Sequence, residues 1–221
     1  MVIVVIQCAA RKMRHAGHFA ALDGRKVLFV ARPEQTSAGP DSQIYARPDD
    51  VAEVGKSWRT LLLDYNEAPA ENPYGLLPAW QLYKDPTYGL LRKHYGLDQL
   101  YILSAGWGLL CAKFLTPAYD ITFAPSADRS KRRLKGDKYD DFCMLPPDTS
   151  EHIVFFGGKD YIPLFCELTA GPSRERTVFY AGRKPDAPDC DLRLFGDPFT
   201  NWHYRCAKAV VQGRILLDEE L

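Results

Sequence analysis

Five short hydrophobic runs are spaced along this chain, and several of them are apolar at consecutive positions instead of alternating with polar residues. Such runs are typical of parallel strands that helices cover on both faces. The predicted strands are residues 2–6, 27–30, 99–103, 153–156 and 177–180. The pattern therefore favours a layered structure with a buried sheet.

Between these runs, apolar positions recur at helical spacing, which predicts amphipathic helices. The predicted helices are residues 57–66, 77–83 continuing through 88–95, 160–169 and 201–213. Strands that alternate with helices predict an α/β fold: a single three-layer domain over residues 1–221, with a mostly parallel central sheet flanked by helices. Residues 32–48 are rich in Pro, Gly, Ser and Asp, which predicts a loop insertion.

Composition agrees with a soluble globular protein, since 46% of the residues are hydrophobic and 25% are charged. The apolar runs are far shorter than the ~18 residues of a membrane span. The first run has no basic residue before it and no cleavage site after it, so we expect a strand, no membrane and a cytoplasmic location. The six cysteines lack Cys-x-x-Cys spacing, which favours reduced thiols, and we expect no metal and no cofactor.

The run that ends in Leu103-Ser104-Ala105-Gly106-Trp107-Gly108 predicts a buried strand that leads into a tight turn, where α/β proteins build ligand sites. The glycines nearly match a dinucleotide fingerprint, but Cys111 stands in place of the third glycine. Gly157 and Gly158 likewise follow a strand without completing a phosphate-binding loop. Both turns offer backbone N–H groups that a phosphate, sugar or base could approach.

Asp120 follows the first of these turns and is the candidate acid of the site. A carboxylate there could orient water or stabilise a cationic sugar, or it could simply cap its own turn. In residues 126–141, six cationic side chains alternate with Asp and Tyr. Such a stretch could bind the phosphate backbone of a nucleic acid, or it could form the solvated face of a helix.

Asn201, Trp202, His203 and Tyr204 begin the last predicted helix. They could bind a base or sugar, with His203 exchanging a proton, or they could only pack, with Asn201 as the N-cap. Cys8 could be an activated thiolate or a buried small residue at a strand end.

Several motifs together resemble the YaaA-like family, which includes a DNA-associated peroxide-stress protein. They are Gln7-Cys8 with Lys12 after it, the central Leu103 to Leu109 motif, Tyr119-Asp120, and Phe156-Gly157-Gly158-Lys159-Asp160-Tyr161. Gly106-Trp107 replaces the basic and aromatic pair of that family. The resemblance implies an α/β core related to the uracil-glycosylase architecture and a role in nucleic-acid modification or phage defence.

Carried over by position, the resemblance implies a pocket of Gln7, Cys8, Ser104, Gly106, Gly108, Tyr119, Asp120 and Tyr161, with Trp107 as a lid or stacking residue. The resulting hypothesis is a DNA N-glycosylase that flips a modified base into this pocket. The candidate catalytic residues are Asp120 and His203. Gly158 and Asn201 complete the candidate substrate-binding set, and the candidate DNA-backbone contacts are Lys131, Arg132, Arg133 and Lys135.

Two alternatives stay open from the sequence. One is a DNA-binding or sensor protein without catalysis, and the other is a hydrolase or transferase of free nucleosides. Salt-dependent DNA binding separates them, because contacts to phosphates weaken steeply as salt rises.

Overall fold

The computed structural model describes residues 2–37, 41–68, 71–171 and 175–217. Its α-helices are α1 (Trp58–Glu67), α2 (Thr87–Tyr95), α3 (Ile162–Thr169) and α4 (Trp202–Val211). Its strands are β1 (Val2–Gln7), β2 (Lys26–Val30), β3 (Gln43–Ala46), β4 (Leu77–Pro78), β5 (Leu100–Ser104), β6 (Gly108–Cys111), β7 (Leu115–Thr116), β8 (Tyr119–Asp120), β9 (Phe142–Cys143), β10 (His152–Phe156), β11 (Arg176–Tyr180) and β12 (Asp191–Leu194). Within these ranges, no helix combines the length and apolar character that crossing a membrane requires.

The large sheet has seven strands in the order β12-β11-β10-β1-β5-β6-β9. Every neighbouring pair is parallel except β5 and β6, which are antiparallel. Val4, Val5 and Ile6 of β1 are fully buried, as expected for a central strand covered on both faces. The α/β class and the mostly parallel sheet are thus confirmed, while the three-layer, single-domain arrangement stays a prediction.

Three of the helices, α2, α3 and α4, contact strands of this sheet. α2 and α4 contact each other, α2 contacts β5, and α4 contacts β10 and β11, whereas α3 contacts β6. α1 begins at the N-cap Ser57, whose hydroxyl accepts a hydrogen bond from the backbone N–H of Thr60 at 3.1 Å.

A second, three-stranded sheet has the order β3-β2-β8, and all of its strands are parallel. Val30 of β2 pairs with Asp120 of β8, so this sheet carries the candidate acid. The ring of Phe29 on β2 meets the ring of Trp107 edge-on, with centroids 4.9 Å apart, and joins the two sheets.

The predicted insertion over residues 32–48 is partly wrong, because it contains β3 and a 3-10 turn at Pro33–Gln35. Residues 38–40 of that stretch lie outside the described residues. β3 was missed because its polar surroundings mask a strand that is only half-buried.

The predicted helix over residues 77–83 is also wrong. Those residues form β4 and a 3-10 turn, Ala79–Gln81, because the backbone of Leu77 and Pro78 pairs with β7. Residues 126–141 form turns and irregular backbone, so the solvated helix face considered for them is absent from this described stretch.

Candidate functional site

The carboxyl ends of β1, β5 and β10 meet at one edge of the large sheet. There the amide oxygen of Gln7 accepts a hydrogen bond from the backbone N–H of Gly158 at 2.6 Å. The thiol of Cys8 lies 3.3 Å from the hydroxyl of Tyr161. The structure therefore brings together these four predicted site residues from distant parts of the chain.

Ser104 and Tyr119 form the second half of this edge. The Ser104 hydroxyl donates to Tyr119 Oη at 2.8 Å, and Tyr119 Oη also lies 2.8 Å from Tyr83 Oη. Ser104, Tyr119 and Tyr83 are all buried. Together with Cys8 and Tyr161 they form a cluster of buried polar side chains.

The tyrosines of this cluster keep their protons at neutral pH. Burial raises the pKa of Tyr83, Tyr119 and Tyr161 well above the usual value of a phenol, because a buried phenolate would lose its hydration. Tyr88, whose pKa burial raises as well, donates to the backbone oxygen of Gln7 at 2.7 Å. These hydroxyls fix the strand ends as neutral hydrogen-bonding groups.

Tyr119 of this cluster also borders an open cavity of about 640 Å³. Its wall includes Lys12, Tyr45, Tyr119, Asp120, Arg129 and Lys131. A cavity of this size fits a small organic ligand such as a nucleoside. The predicted Asp120 therefore borders an accessible cavity.

The charges of this cavity are arranged around Asp120. Its side chain is 50% exposed, and its carboxylate lies 3.0 Å from Lys131 Nζ, which is also 3.1 Å from Asp128. Hydrogen bonds to both carboxylates raise the pKa of Lys131. Of the four residues predicted to contact the DNA backbone, Lys131 is the one that the structure places beside Asp120.

The turn that contains Gly106 and Trp107 is held by buried arginines. Arg59 donates to the backbone oxygens of Gly106 at 2.9 Å and Trp107 at 3.0 Å, and it forms an ion pair with Asp49. The N–H groups of Gly106 and Trp107 both bind Ser104 Oγ, at 3.2 and 3.0 Å. Protein groups thus occupy the backbone N–H and C=O groups of Gly106 and Trp107 that a ligand could otherwise bind.

The prediction that this turn contacts a ligand is therefore wrong in this structure. Trp107 is 0% exposed and stacks on Phe142, so it cannot receive a flipped base. A Cβ at Gly108 would lie 2.4 Å from the backbone oxygen of Phe142, and one at Gly106 would lie 3.1 Å from Ile121. Packing against neighbouring segments explains both glycines.

The four cationic residues predicted to contact DNA lie in different surroundings. Arg133, with a side chain that is 6% exposed, forms an ion pair with Asp141 at 2.5 Å and donates to the backbone oxygen of Ala105 at 3.0 Å. Arg133 cannot reach a phosphate, so its predicted role is wrong. Lys135 borders another cavity, with Lys159 and Arg183, and Arg132 donates to the backbone oxygen of Pro125 at 3.1 Å.

His203 is a second correction, since it is buried in α4 and does not border the Asp120 cavity. Burial lowers its pKa to about 4, so the imidazole is neutral at physiological pH. Asn201 precedes α4 and is exposed, and its side chain makes no capping hydrogen bond. The structure does not bring either residue together with Asp120.

Two charged residues of the cavity, Lys12 and Arg129, were not among the candidate site residues. Lys12 follows β1 in the chain, but only pairing with the segment around Tyr83 brings it into the cavity wall. Arg129 lies in the cation-rich stretch, where its charge alone did not separate it from the buried Arg133. Among the described residues, no three His, Cys, Asp or Glu side chains are grouped as a metal site requires.

Comparison with protein-family models, curated proteins and solved structures gives no match to this chain. The resemblance to the YaaA-like family therefore stays a prediction.

Proposed function

We propose that this protein is an enzyme that cleaves the N-glycosidic bond of a modified base in DNA. The observation that carries this proposal is the carboxylate of Asp120 in an open cavity whose wall also includes Lys12, Arg129 and Lys131. The carboxylate suits a sugar that becomes cationic, and the ammonium and guanidinium groups suit the phosphates on either side of it.

In the proposed reaction, the bond between C1′ and the base breaks, and its electron pair leaves with the base. The sugar then resembles an oxocarbenium ion, which Asp120 stabilises while it positions the attacking water. Lys131, 3.0 Å from the carboxylate, holds Asp120 in place. The exposed Arg129 supplies a contact to the DNA backbone.

Of the aromatic side chains in the cavity wall, Tyr45 is partly exposed and can stack on a base, whereas Tyr119 is buried and its ring lies beneath Lys12 Nζ. The resemblance to the YaaA-like family supports a role on modified phage DNA in the cytoplasm. In this proposal the chain is one three-layer domain that needs no cofactor.

A hydrolase or transferase of free nucleosides is the second candidate. It is favoured by the burial of Arg133 and by the position of Lys135 at a different cavity, because both reduce the cationic surface beside Asp120. Such an enzyme needs the pocket but no grip on a DNA backbone.

The decisive experiment incubates the protein with duplexes that contain natural, deaminated, hydroxymethylated or glucosylated bases, and then probes for alkali-labile sites. We expect one class of modified duplex to become labile and Asp120→Asn to abolish the signal. DNA affinity should stay within about threefold, because phosphate contacts and not Asp120 dominate affinity. Asp98→Asn, which alters an exposed carboxylate paired with Lys113, is the matched control.

An unchanged rate in Asp120→Asn would remove Asp120 from the mechanism. Intact DNA across the whole set of duplexes would reject the proposal. Salt-dependent DNA binding without any cleavage would instead indicate the non-catalytic protein, and base release from free nucleosides alone would indicate the second candidate.

A further inference from the structure

Lys12 has a fixed position in the cavity wall. The backbone N–H of Met13 donates to the backbone oxygen of Leu82 at 2.9 Å, and that of Lys84 donates to the backbone oxygen of Arg11 at 3.1 Å. These two hydrogen bonds enclose the bridge between Lys12 and Tyr83. The residue is therefore held from both sides, although it lies in irregular backbone.

The ammonium of Lys12 rests on an aromatic ring and not on a carboxylate. Its Nζ lies 4.1 Å from the centroid of the Tyr119 ring. Within the part of the chain that the structure describes, no carboxylate oxygen lies within 4.0 Å of this nitrogen, whereas Asp120 pairs with Lys131. Two lysines thus border one cavity, and only one of them is ion-paired.

Their surroundings shift the pKa values of the two lysines in opposite directions. Burial lowers the pKa of Lys12, the positive charge of Lys131 lowers it further, and the nearby Cys8 and Asp120 oppose this effect. Hydrogen bonds to Asp120 and Asp128 raise the pKa of Lys131. Lys12 is therefore the better source of a neutral amine, and Lys131 is the better permanent cation.

We propose that Lys12 is a nucleophile that forms a Schiff base with the sugar of an abasic site, which makes the protein a lyase of abasic DNA. This inference rests on the proposed function, because it places the same sugar in the same cavity. It adds a second activity and assigns the attacking atom, Lys12 Nζ.

The step balances without any oxidant or cofactor. The lone pair of Nζ attacks C1′ of the ring-opened sugar, and loss of water from the resulting carbinolamine gives an iminium ion. Asp120 then removes a proton from C2′, the electron pair forms the C2′–C3′ double bond, and the C3′–O bond breaks to release the 5′-phosphate end of the DNA. Water hydrolyses the iminium, which frees Lys12 and leaves an unsaturated aldehyde on the other DNA end.

The test uses a duplex with one abasic site, made from deoxyuridine by a separate uracil glycosylase, together with sodium borohydride. Borohydride reduces an iminium to a stable amine, so the wild-type protein should become covalently attached to the DNA. Peptide mapping by mass spectrometry should find the sugar on Lys12. Lys12→Arg should lower the yield at least about tenfold, because a guanidinium stays protonated.

Lys113→Arg is the matched control, because Lys113 is an exposed lysine paired with Asp98. Its adduct yield should equal that of the wild type. The mapping on wild-type protein decides the question even if Lys12→Arg folds poorly.

The inference is overturned if no adduct forms, or if the sugar maps to another amine. Base release with an intact strand and no adduct would leave the glycosylase proposal standing and remove the lyase. An adduct on Lys12 without base release from any modified duplex would keep the lyase and remove the glycosylase.

Discussion

The guanidinium of Arg59 donates to the backbone oxygen of Trp107 at 3.0 Å, which ties α1 to the turn between β5 and β6. The same side chain pairs with Asp49 and is almost fully buried. A buried cation that binds two backbone oxygens and one carboxylate replaces nearly all of its lost hydration. Arg59 therefore belongs to the framework of the site.

Arg59→Ala should lower the free energy of unfolding by about 3 kcal/mol, because it leaves Asp49 and two backbone oxygens without their donor. Chemical denaturation with urea measures this loss. Arg25→Ala, which breaks an exposed ion pair with Asp23, should cost less than about 1 kcal/mol. Equal losses in the two variants would contradict the framework role.

Gly108 should tolerate no side chain. Its φ angle is +87°, and a Cβ would lie 2.4 Å from the backbone oxygen of Phe142, so Gly108→Ala forces β6 and β9 apart. We expect a loss of about 3 kcal/mol or more in the free energy of unfolding. Gly136→Ala is the control, since a Cβ there meets no atom within 4 Å, and a drop in melting temperature as large as that of Gly108→Ala would refute this account.

His203 should make the protein sensitive to acid. Its pKa is about 4 in the folded protein and 6.5 for an unperturbed histidine, so the unfolded chain binds the proton more tightly. The contribution of His203 to stability is therefore complete above pH 6.5 and is lost as the pH falls from 6.5 towards 4. The loss amounts to a few kcal/mol at most, on the order of 1.4 kcal/mol per pH unit.

Urea titrations between pH 4 and pH 7 test this dependence. His203→Gln should flatten the curve, because glutamine binds no proton in this range. His94→Gln, at an exposed histidine of α2, is the control for the substitution itself. A slope that persists in His203→Gln would assign the acid sensitivity to other groups.

Arg129 and Arg133 should respond differently in a DNA-binding assay. Arg129→Ala should weaken binding to any duplex and reduce the slope of log affinity against log salt by about one, as expected for one phosphate contact. Arg133→Ala should instead lower the stability of the fold, because it leaves the buried carboxylate of Asp141 without its ion-pair partner. Fluorescence anisotropy across a salt series, paired with melting curves, separates the two effects, and an unaltered slope in Arg129→Ala would exclude that contact.

Four of the seven strands of the large sheet, β1, β5, β10 and β11, were predictable because their signal is local, whereas β6, β9 and β12 were not predicted. Residues such as Val4 and Val5 are apolar in succession, and only a strand covered on both faces keeps such a run away from water. The membership of β2 in a second sheet was not predictable, because its partners are a short strand in a polar stretch, β3, and the two-residue β8.

The sequence indicated an edge of the sheet for the candidate site, but not the orientation of its side chains. The resemblance to the YaaA-like family implied a pocket that includes Gln7, Cys8, Ser104 and Tyr119. In the structure Gln7 binds Gly158 and Ser104 binds Tyr119, while the role of these residues in a site stays a prediction. Whether a side chain faces the cavity depends on contacts with segments far away in the chain. The rings of Phe29 and Phe142 cover Trp107, and contacts between such distant segments are not predictable from composition.

Asp120 and Ser104 belong to different sheets, and the rings of Phe29 and Trp107 lie between those sheets. The spacing between the acid and Ser104 thus depends on side-chain contacts between the sheets, namely the Phe29–Trp107 ring pair and the hydrogen bond from Ser104 Oγ to the hydroxyl of Tyr119, the neighbour of Asp120 on β8. A substitution that shrinks either ring would change this spacing while every strand kept its own partners. Altered activity with intact secondary structure would be the signature of such a change.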